Sequence, residues 1–322
     1  MLSTALLAAW SCTSHLPPPP PVADAFGPPW AAERAVVLAH INAARRDAGL
    51  PPFVNCALLE RVGDLHCQTQ IREGSHGHFA RDGVPPYLRY FLAGGTGFHR
   101  ENMASHSSSF DVTPAELPGI LHEALRRMLA EVPPADGHRR TLLDAEATRI
   151  GIGLAVDGGE VRMAHEVAVE GCEELVPPPA VSLPGATLGV RGRVLSPWRL
   201  AQVQVLSEPL PSPMTVAEAD SIAAYRYPPV RVSFGTGVSG LARDRHGAPY
   251  LLELGPGDAF SFSWLTGPSE GIEVVVLLAQ RNAADRILTA IAACATVVTR
   301  DGVLPSSLDR WRSLRITSLH SL

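Results

Sequence analysis

The pattern of apolar residues changes near the middle of the chain, at the proline-rich segment Pro177-Pro178-Pro179. Before this segment, apolar residues recur at helical spacing over several stretches, and two strand-like runs follow them. After it, short apolar runs are separated by Gly, Pro and Asp, a pattern typical of an all-β sandwich. With 322 residues, the chain is long enough for two domains of ordinary size. We therefore predict an α+β fold, in which helices stack on a sheet and an all-β domain follows.

Three helices are predicted in the first half from apolar residues that lie three or four positions apart. Gly49 and Gly74 follow the first two, as glycine often does at a helix end. Asn55 is a suitable N-cap for the second, and the capping-box pattern Thr113-Pro114-Ala115-Glu116 opens the third. Between the second and third lies a segment rich in Gly and Pro. In chain order, the prediction is helix 32–48, helix 55–74, loop 75–102 and helix 113–131.

Strands are predicted where apolar runs are separated by turn residues. In the first half, residues 150–156 and 161–167 form a hairpin through Asp157-Gly158-Gly159. The second half is predicted to be a sandwich of about seven strands, with helical interruptions around 216–225 and 283–295. Its apolar runs are 186–195, 201–206, 230–234, 250–254, 260–265 and 272–278.

These patterns divide the chain into four segments. We predict a signal- or lipoprotein-like segment with a Pro-rich tether over 1–30, a first domain over 31–172, a linker over 173–182 and a β-sandwich accessory domain over 183–322.

The N-terminal segment favours export. The apolar run of residues 2–10 is too short to span a bilayer and resembles the end of a secretory signal. Cys12 lies where a bacterial lipoprotein would be cut and lipidated, and the proline run 17–21 fits a stiff tether leading away from a membrane. We expect a protein of the cell envelope or the extracellular space that contacts the membrane only through a lipid anchor at Cys12.

Charge and motifs exclude several classes of function. The net charge of −5 argues against nucleic acid as a partner, because phosphate binding needs a concentrated basic patch. The sequence contains no C-x-x-C, no H-E-x-x-H and no Walker loop. Zinc fingers, common zinc proteases and P-loop nucleotide-binding enzymes are therefore not indicated.

Histidines and glutamates of the first half are the candidate functional residues. The segments that contain them resemble, in order and spacing, the CAP family over about residues 33–170. This family comprises cysteine-rich secretory proteins, antigen 5 and pathogenesis-related 1 proteins. The resemblance is carried by His40-Ile41-Asn42-Ala43-Ala44-Arg45, Gly49-Leu50-Pro51-Pro52, the helix after Asn55, the turn from His78 to Gly83, Glu101-Asn102, Gly137-His138-Arg139, and Ile150-Gly151-Ile152-Gly153 with its hairpin partner.

This resemblance implies an α-β-α sandwich with a surface cleft that holds two histidines and two glutamates. In some members of the family these residues bind a divalent metal such as zinc. His78 and His138 match the two histidines, and Glu101 matches the glutamate that precedes an asparagine. Glu131 matches the second glutamate, and Glu123 on the same predicted helix is the alternative.

The chemistry of these side chains allows several roles. Neutral imidazole and carboxylate oxygen both bind zinc, so His78 and His138 are the candidate metal ligands. Without a metal, two facing carboxylates would repel each other, and protonated histidines would offset the repulsion. Simpler roles remain open, namely a loop anchor for Glu101 and a turn residue for His138 after Asp136 as helix N-cap.

Two functions follow from such a cleft. The first is binding of a small apolar or carbohydrate ligand, or of a protein partner. The alternative is a metal-assisted or acid–base hydrolase that acts on peptide or cell-wall polymer, with Glu101 or Glu131 as the base. Binding is favoured because no classical protease motif is present, and the serine-rich run 105–109 is predicted to be a flexible loop beside the cleft. The aromatic residues predicted to be core or corner residues of the β domain are Trp198, Tyr225, Tyr227 and Trp264.

Overall fold

The computed structural model describes residues 27–236, 240–243, 247, 249–281 and 287–315. These residues form seven α-helices and fourteen strands, the latter in three sheets. The predicted α+β fold class is confirmed. Cys12, with the rest of the predicted signal and tether up to residue 26, lies outside the described residues. Within the described ranges, no helix is long and apolar enough to cross a membrane.

The first half is a four-stranded sheet with helices on both faces. Its strands are β1 (Val54–Asn55), β2 (Phe98–Ser107), β3 (Arg149–Asp157) and β4 (Glu160–Val169). Their spatial order is β1-β3-β4-β2, and the β1–β3 pair is parallel while the others are antiparallel. The helices are α1 (Ala31–Asp47), α2 (Ala57–Glu73), α3 (Pro86–Leu92), α4 (Leu117–Leu129) and α5 (Gly137–Leu142).

Side chains of β4 alternate between two helical layers. Val161, Met163 and Val167 pack in one cluster with apolar residues of α1 and α4. Ala164 lies on the opposite face and packs in a second cluster with Cys67 of α2. The sheet is therefore enclosed between helices, as the resemblance to the CAP family implies.

Helix α2 lies very close to β3 because two glycines of the strand face it. A Cβ atom on Gly153 would lie 2.2 Å from the carbonyl carbon of Gly63 in α2. A Cβ atom on Gly151 would lie 2.1 Å from the backbone nitrogen of Glu60. The two backbones are thus in direct contact, and the glycines of this sequence motif serve helix–sheet packing.

The second half is a sandwich of two five-stranded sheets. Its strands are β5 (Cys172–Val176), β6 (Val181–Ser182), β7 (Thr187–Val194), β8 (Arg199–Glu208), β9 (Val230–Gly235), β10 (Gly240–Arg243), β11 (Pro249–Leu254), β12 (Ala259–Leu265), β13 (Gly271–Gln280) and β14 (Thr289–Val298). The sheet orders are β10-β11-β12-β7-β5 and β6-β14-β13-β8-β9. Two helices accompany them, α6 (Val216–Ser221) and α7 (Ser306–Arg312).

The sheet that contains β13 is buried on both faces. Val275 and Leu277 pack into the core between the two sheets of the sandwich. Val274 and Val276 point the other way, into a cluster that includes Tyr87 of α3. All seven residues of α3 are buried. The two halves therefore share one hydrophobic cluster, with α3 between the first sheet and the sandwich.

Three predictions for the first half are wrong. The predicted loop 75–102 contains α3 and the beginning of β2, and the serine-rich run 105–109 is strand as far as Ser107. Helix α3 was missed because it is buried all round and has no polar face to reveal helical spacing. In addition, Asn55 ends β1, and Cys56 is the N-cap residue of α2.

Three predictions for the second half need correction. The helix predicted at 283–295 is wrong, since β14 covers Thr289 onward and residues 282–286 lie outside the described ranges. Its alanines favour a helix by propensity, but burial between two layers selects a strand. The predicted linker 173–182 contains most of β5 and all of β6. Only its prolines cannot donate hydrogen bonds to a neighbouring strand, so the residues on either side of them can pair. The helix predicted at 216–225 ends at Ser221.

The close contact between α2 and β3 predicts a strong effect of Gly153→Ala. The added methyl group has no space, so we expect the free energy of unfolding to fall by about 1–3 kcal/mol. Gly119→Ala in α4 is the matched control, because no heavy atom lies within 4 Å of its Cβ position. That change should be neutral or stabilising by up to about 1 kcal/mol. Urea unfolding of both variants measures the difference, and equal stabilities would contradict the packing argument.

Candidate functional site

The four residues predicted for the cleft line a single cavity of about 520 Å³. These residues are His78, Glu101, Glu131 and His138. The cavity lies beside β2, which is an edge strand of the first sheet. Glu101 comes from β2 itself, whereas the other three come from connections and helix ends on either side of it.

His78 and Glu101 form the first of two histidine–glutamate pairs. The Nδ1 atom of His78 lies 2.9 Å from Oε1 of Glu101, whose residue is only 3% exposed. Burial opposes the charge of this carboxylate, but Arg89 and the neighbouring histidines hold the pKa of Glu101 well below its ordinary value. Glu101 is therefore a carboxylate at neutral pH, and it orients the ring of His78.

The counter-charge for Glu101 is supplied by Arg89 of α3. Its guanidinium is fully buried, donates to Oε2 of Glu101 and donates to the carbonyl oxygen of His78 at 3.0 Å. It also donates to Nδ1 of His66 at 2.9 Å. Burial and the charge of Arg89 lower the pKa of His66 to about 3. A neutral His66 can accept from Arg89 through Nδ1 and donate to the carbonyl oxygen of Gly77 through Nε2, 3.1 Å away.

His138 and Glu131 form the second pair. Oε1 of Glu131 hydrogen-bonds Nδ1 of His138, and Oε2 accepts the backbone N–H groups of His138 at 2.9 Å and Arg139 at 3.2 Å. Partial burial opposes ionisation of Glu131, but these hydrogen bonds lower its pKa below the ordinary value. The side chain of Asn102 holds the same turn by donating to the carbonyl oxygen of His138 at 3.0 Å.

The alternative glutamate, Glu123, lies elsewhere. Its carboxylate accepts from Arg126 and Arg127 on the exposed face of α4, and it does not line the cavity. Asp136 precedes α5 as predicted but makes no side-chain capping bond. Of the two candidates, only Glu131 is placed to pair with His138.

The alternation of side chains along β2 explains why the two pairs converge from different sides. Glu101 and Asn102 are consecutive residues of an edge strand, so they point to opposite faces of the sheet. Glu101 meets Arg89 and His78 on one face, whereas Asn102 meets the turn of His138 on the other. The cavity therefore spans the rim of the sheet.

A segment from the second half, residues 223–227, closes one side of the cavity. Tyr225 accepts the backbone N–H of Glu101 with its hydroxyl oxygen at 2.7 Å, and its ring meets that of His78 edge to face at 4.9 Å. Tyr227 accepts the N–H of His99 at 3.0 Å and donates to the carbonyl oxygen of the same residue at 3.1 Å. Two tyrosine hydroxyls thus satisfy backbone groups that the edge strand leaves open.

Beneath the first pair, a buried carboxyl group is held uncharged. Glu166 of β4 lies directly opposite Glu101 of β2, and both are buried. Burial and the negative charge of Glu101 raise the pKa of Glu166 well above its ordinary value. Burial lowers the pKa of its partner His99 to about 3, so the 2.7 Å hydrogen bond between them joins two neutral groups. A proton on Glu166 prevents two facing carboxylates from repelling each other.

Four residues that shape this site were not predicted to belong to it. Arg89 is a single charge in the apolar run Tyr87-Leu88-Arg89-Tyr90, and a charge in such a run signals a buried ionic partner. Glu166 stands between His165 and the apolar run Val167-Ala168-Val169 of β4, so the same signal is weaker there. Tyr225 and Tyr227 were predicted to be core or corner aromatics, and no local pattern indicates that they reach β2.

The arrangement offers few ligands for a metal ion. The Nδ1 atom of each cleft histidine is paired with a carboxylate. This leaves Nε2 of His78 and Nε2 of His138 as the nitrogen atoms that could bind a metal. The oxygens of Glu101 and Glu131 are occupied by donors of the chain itself. Among the described residues, no group of three or more His, Cys, Asp or Glu is arranged to hold a metal. Zinc sites use three or four protein ligands, so these residues fit zinc poorly.

Comparisons with known proteins give only distant similarities. No protein-family model matches the chain, and no curated protein matches it. An outer surface protein of Borrelia burgdorferi is similar over 45% of this chain and 98% of its own, with 13% identity and a TM-score of 0.36. Venom allergen-like protein 4 of Schistosoma mansoni is similar over 42% and 87%, with 13% identity and a TM-score of 0.31. A third structure, BmVAL-1, is similar over 48% and 81%, with 15% identity and a TM-score of 0.33. TM-scores below 0.5 carry no argument about function.

The neutral state of Glu166 predicts a pH dependence of stability. Its pKa is raised in the folded state, so its contribution is complete below about pH 4.5 and is lost as the pH rises towards the folded-state pKa. Glu166→Gln keeps a neutral hydrogen-bonding side chain and removes this titration. We expect the variant to gain stability relative to the unmodified protein as the pH rises from 5 to 8. Urea unfolding at both pH values measures this, with Glu253→Gln, which removes an exposed carboxylate of β11, as the control.

Proposed function

We propose that the chain is a CAP-like, exported binding protein whose ligand enters the cavity between the two histidine–glutamate pairs. The observation that carries this proposal is the convergence of His78, Glu101, Glu131 and His138 on one cavity of about 520 Å³. This size suits a small ligand or one end of a larger one. Phe98 and Tyr225 supply apolar surface, and the imidazoles supply hydrogen-bonding groups. A small apolar or carbohydrate ligand, or a protein partner, is compatible with these groups.

Binding is favoured over catalysis by the state of Glu101. A general base needs access to the water that it activates and a pKa near the operating pH. Both oxygens of Glu101 accept hydrogen bonds within the chain, and Arg89 keeps the pKa of its carboxyl group low. Glu101 therefore positions His78 and is poorly suited to accept a proton from water.

A hydrolase is the second candidate because of the other pair. His138 is partly exposed to the cavity, and Glu131 orients its ring through Nδ1, which leaves Nε2 to accept a proton. A histidine oriented by a carboxylate is a common general base. In this alternative, water activated by His138 would attack a peptide or cell-wall polymer.

Export and lipidation at Cys12 complete the proposal. They rest on the apolar N-terminal run and the proline-rich tether of the sequence. Metabolic labelling with a palmitate analogue tests the anchor directly, with Cys12→Ser as the control that should lose the label.

The zinc prediction has its own test. Because the described residues offer only two imidazole nitrogens, we expect zinc to be lost on dialysis. Less than about 0.1 equivalent should remain by elemental analysis. Stoichiometric zinc that disappears in the variant His78→Ala/His138→Ala would contradict this expectation and would favour a metal centre.

A cosedimentation experiment separates binding from hydrolysis. The purified chain is incubated with insoluble peptidoglycan, and both the bound protein and the released amino and reducing groups are measured. We expect binding without release, weakened about tenfold in His78→Ala and His138→Ala through loss of hydrogen bonds to the ligand. Tyr225→Phe keeps the ring and should bind better than Tyr225→Ala. Release that both histidine variants abolish would favour the hydrolase, and equal binding by all variants would contradict a role of the cleft.

A further inference from the structure

A second cavity, of about 640 Å³, continues from the cleft along α5. It shares Arg100, Gly137 and Thr141 with the first cavity and is lined in addition by Arg139 and Arg140. The two cavities therefore form one elongated groove, with the histidine–glutamate pairs in its first part and Arg139 and Arg140 in its second.

The charges along this groove are unbalanced. Arg139 and Arg140 are exposed, and no described carboxylate lies within ion-pair distance of either side chain. The same holds for Arg226, which projects from the 223–227 segment and lines the cleft. By contrast, Arg100 is paired with Asp144.

The groove is lined by four arginines and three carboxylates, and one of these carboxylates, Glu101, is already paired with the buried Arg89. Glu131 accepts from His138 and from the backbone N–H of Arg139. Asp144 accepts from Arg100 and, through its other oxygen, from the backbone N–H of Glu146. A chain with a net charge of −5 therefore carries a local excess of positive charge along this one groove.

We infer that the cleft ligand is an acidic polysaccharide, whose carboxylate or sulfate groups lie against Arg139, Arg140 and Arg226. Guanidinium groups pair with such anions through two parallel N–H···O bonds. The length of the groove favours a chain of sugar units over a single small anion. This inference rests on the proposed binding function of the cleft and names the class of ligand.

The inference is tested by binding of the full chain to defined polymers at about 50 mM salt, where screening of exposed charges is modest. The probes are polygalacturonate for carboxylates, dextran sulfate for sulfates and unmodified dextran as the neutral control. We expect one or both charged polymers to bind and dextran not to bind. Arg139→Gln/Arg140→Gln should weaken this binding about tenfold or more.

A matched pair of arginines controls for net charge. Arg126→Gln/Arg127→Gln removes the same charge from α4, where neither arginine lines the two cavities of the groove. Its affinity should stay within about twofold of the unmodified chain, since these two arginines lie outside the groove and cannot bond directly to a polymer bound there. An equal loss in both double variants, no binding to either charged polymer, or equally tight binding to double-stranded DNA would overturn the inference.

The outcome can be distinguished from that of the proposed function. If peptidoglycan binding depends on His78 and His138 while no charged polymer binds, the cleft is a binding site and the ligand class is wrong. If a charged polymer binds through Arg139 and Arg140 but neither histidine variant alters any binding, the arginines act alone and the proposed cleft function fails.

Discussion

The buried contact between Arg89 and Glu101 holds the cleft in its shape. Removing two charges from water is costly, and that cost is offset only where each charge finds the other and its remaining hydrogen-bonding groups are satisfied. Here the guanidinium reaches Glu101, His66 and the backbone of His78 at once. The charge on this one carboxylate orients His78 and, together with burial, favours the proton on Glu166, whereas the neutral state of His66 follows from its own burial and from the charge of Arg89.

The edge position of β2 explains why residues of the second half contribute to the site. An edge strand has unpaired backbone groups, and in many proteins another strand or a loop covers them. In this chain Tyr225 and Tyr227 do so from more than a hundred residues away in sequence. The same contacts bring an aromatic wall to the ring of His78. The same segment therefore both covers the edge strand and completes the cavity.

Much of the architecture could be predicted from sequence, and the reasons for the failures are physical. Helices α1, α2 and α4 have one polar face, so their spacing shows in the sequence. Helix α3 and strand β14 are buried on all sides and lack that signal. His78, Glu101 and His138 were found because a resemblance of ordered motifs selected them. The roles of Arg89 and Tyr225 depend on contacts across the fold, which local patterns do not encode.

The apolar cluster between α3 and β13 has a consequence for how such a chain can arise. Val274, Val276 and Tyr87 face one another across what the sequence presents as a border. Neither side has a solvated surface there, so separating the two parts would expose apolar side chains on both. A gene fusion that brought in a different sandwich would therefore leave side chains that do not pack together at this contact. The proline-rich stretch thus marks a change of secondary structure and not a place where the protein can be divided.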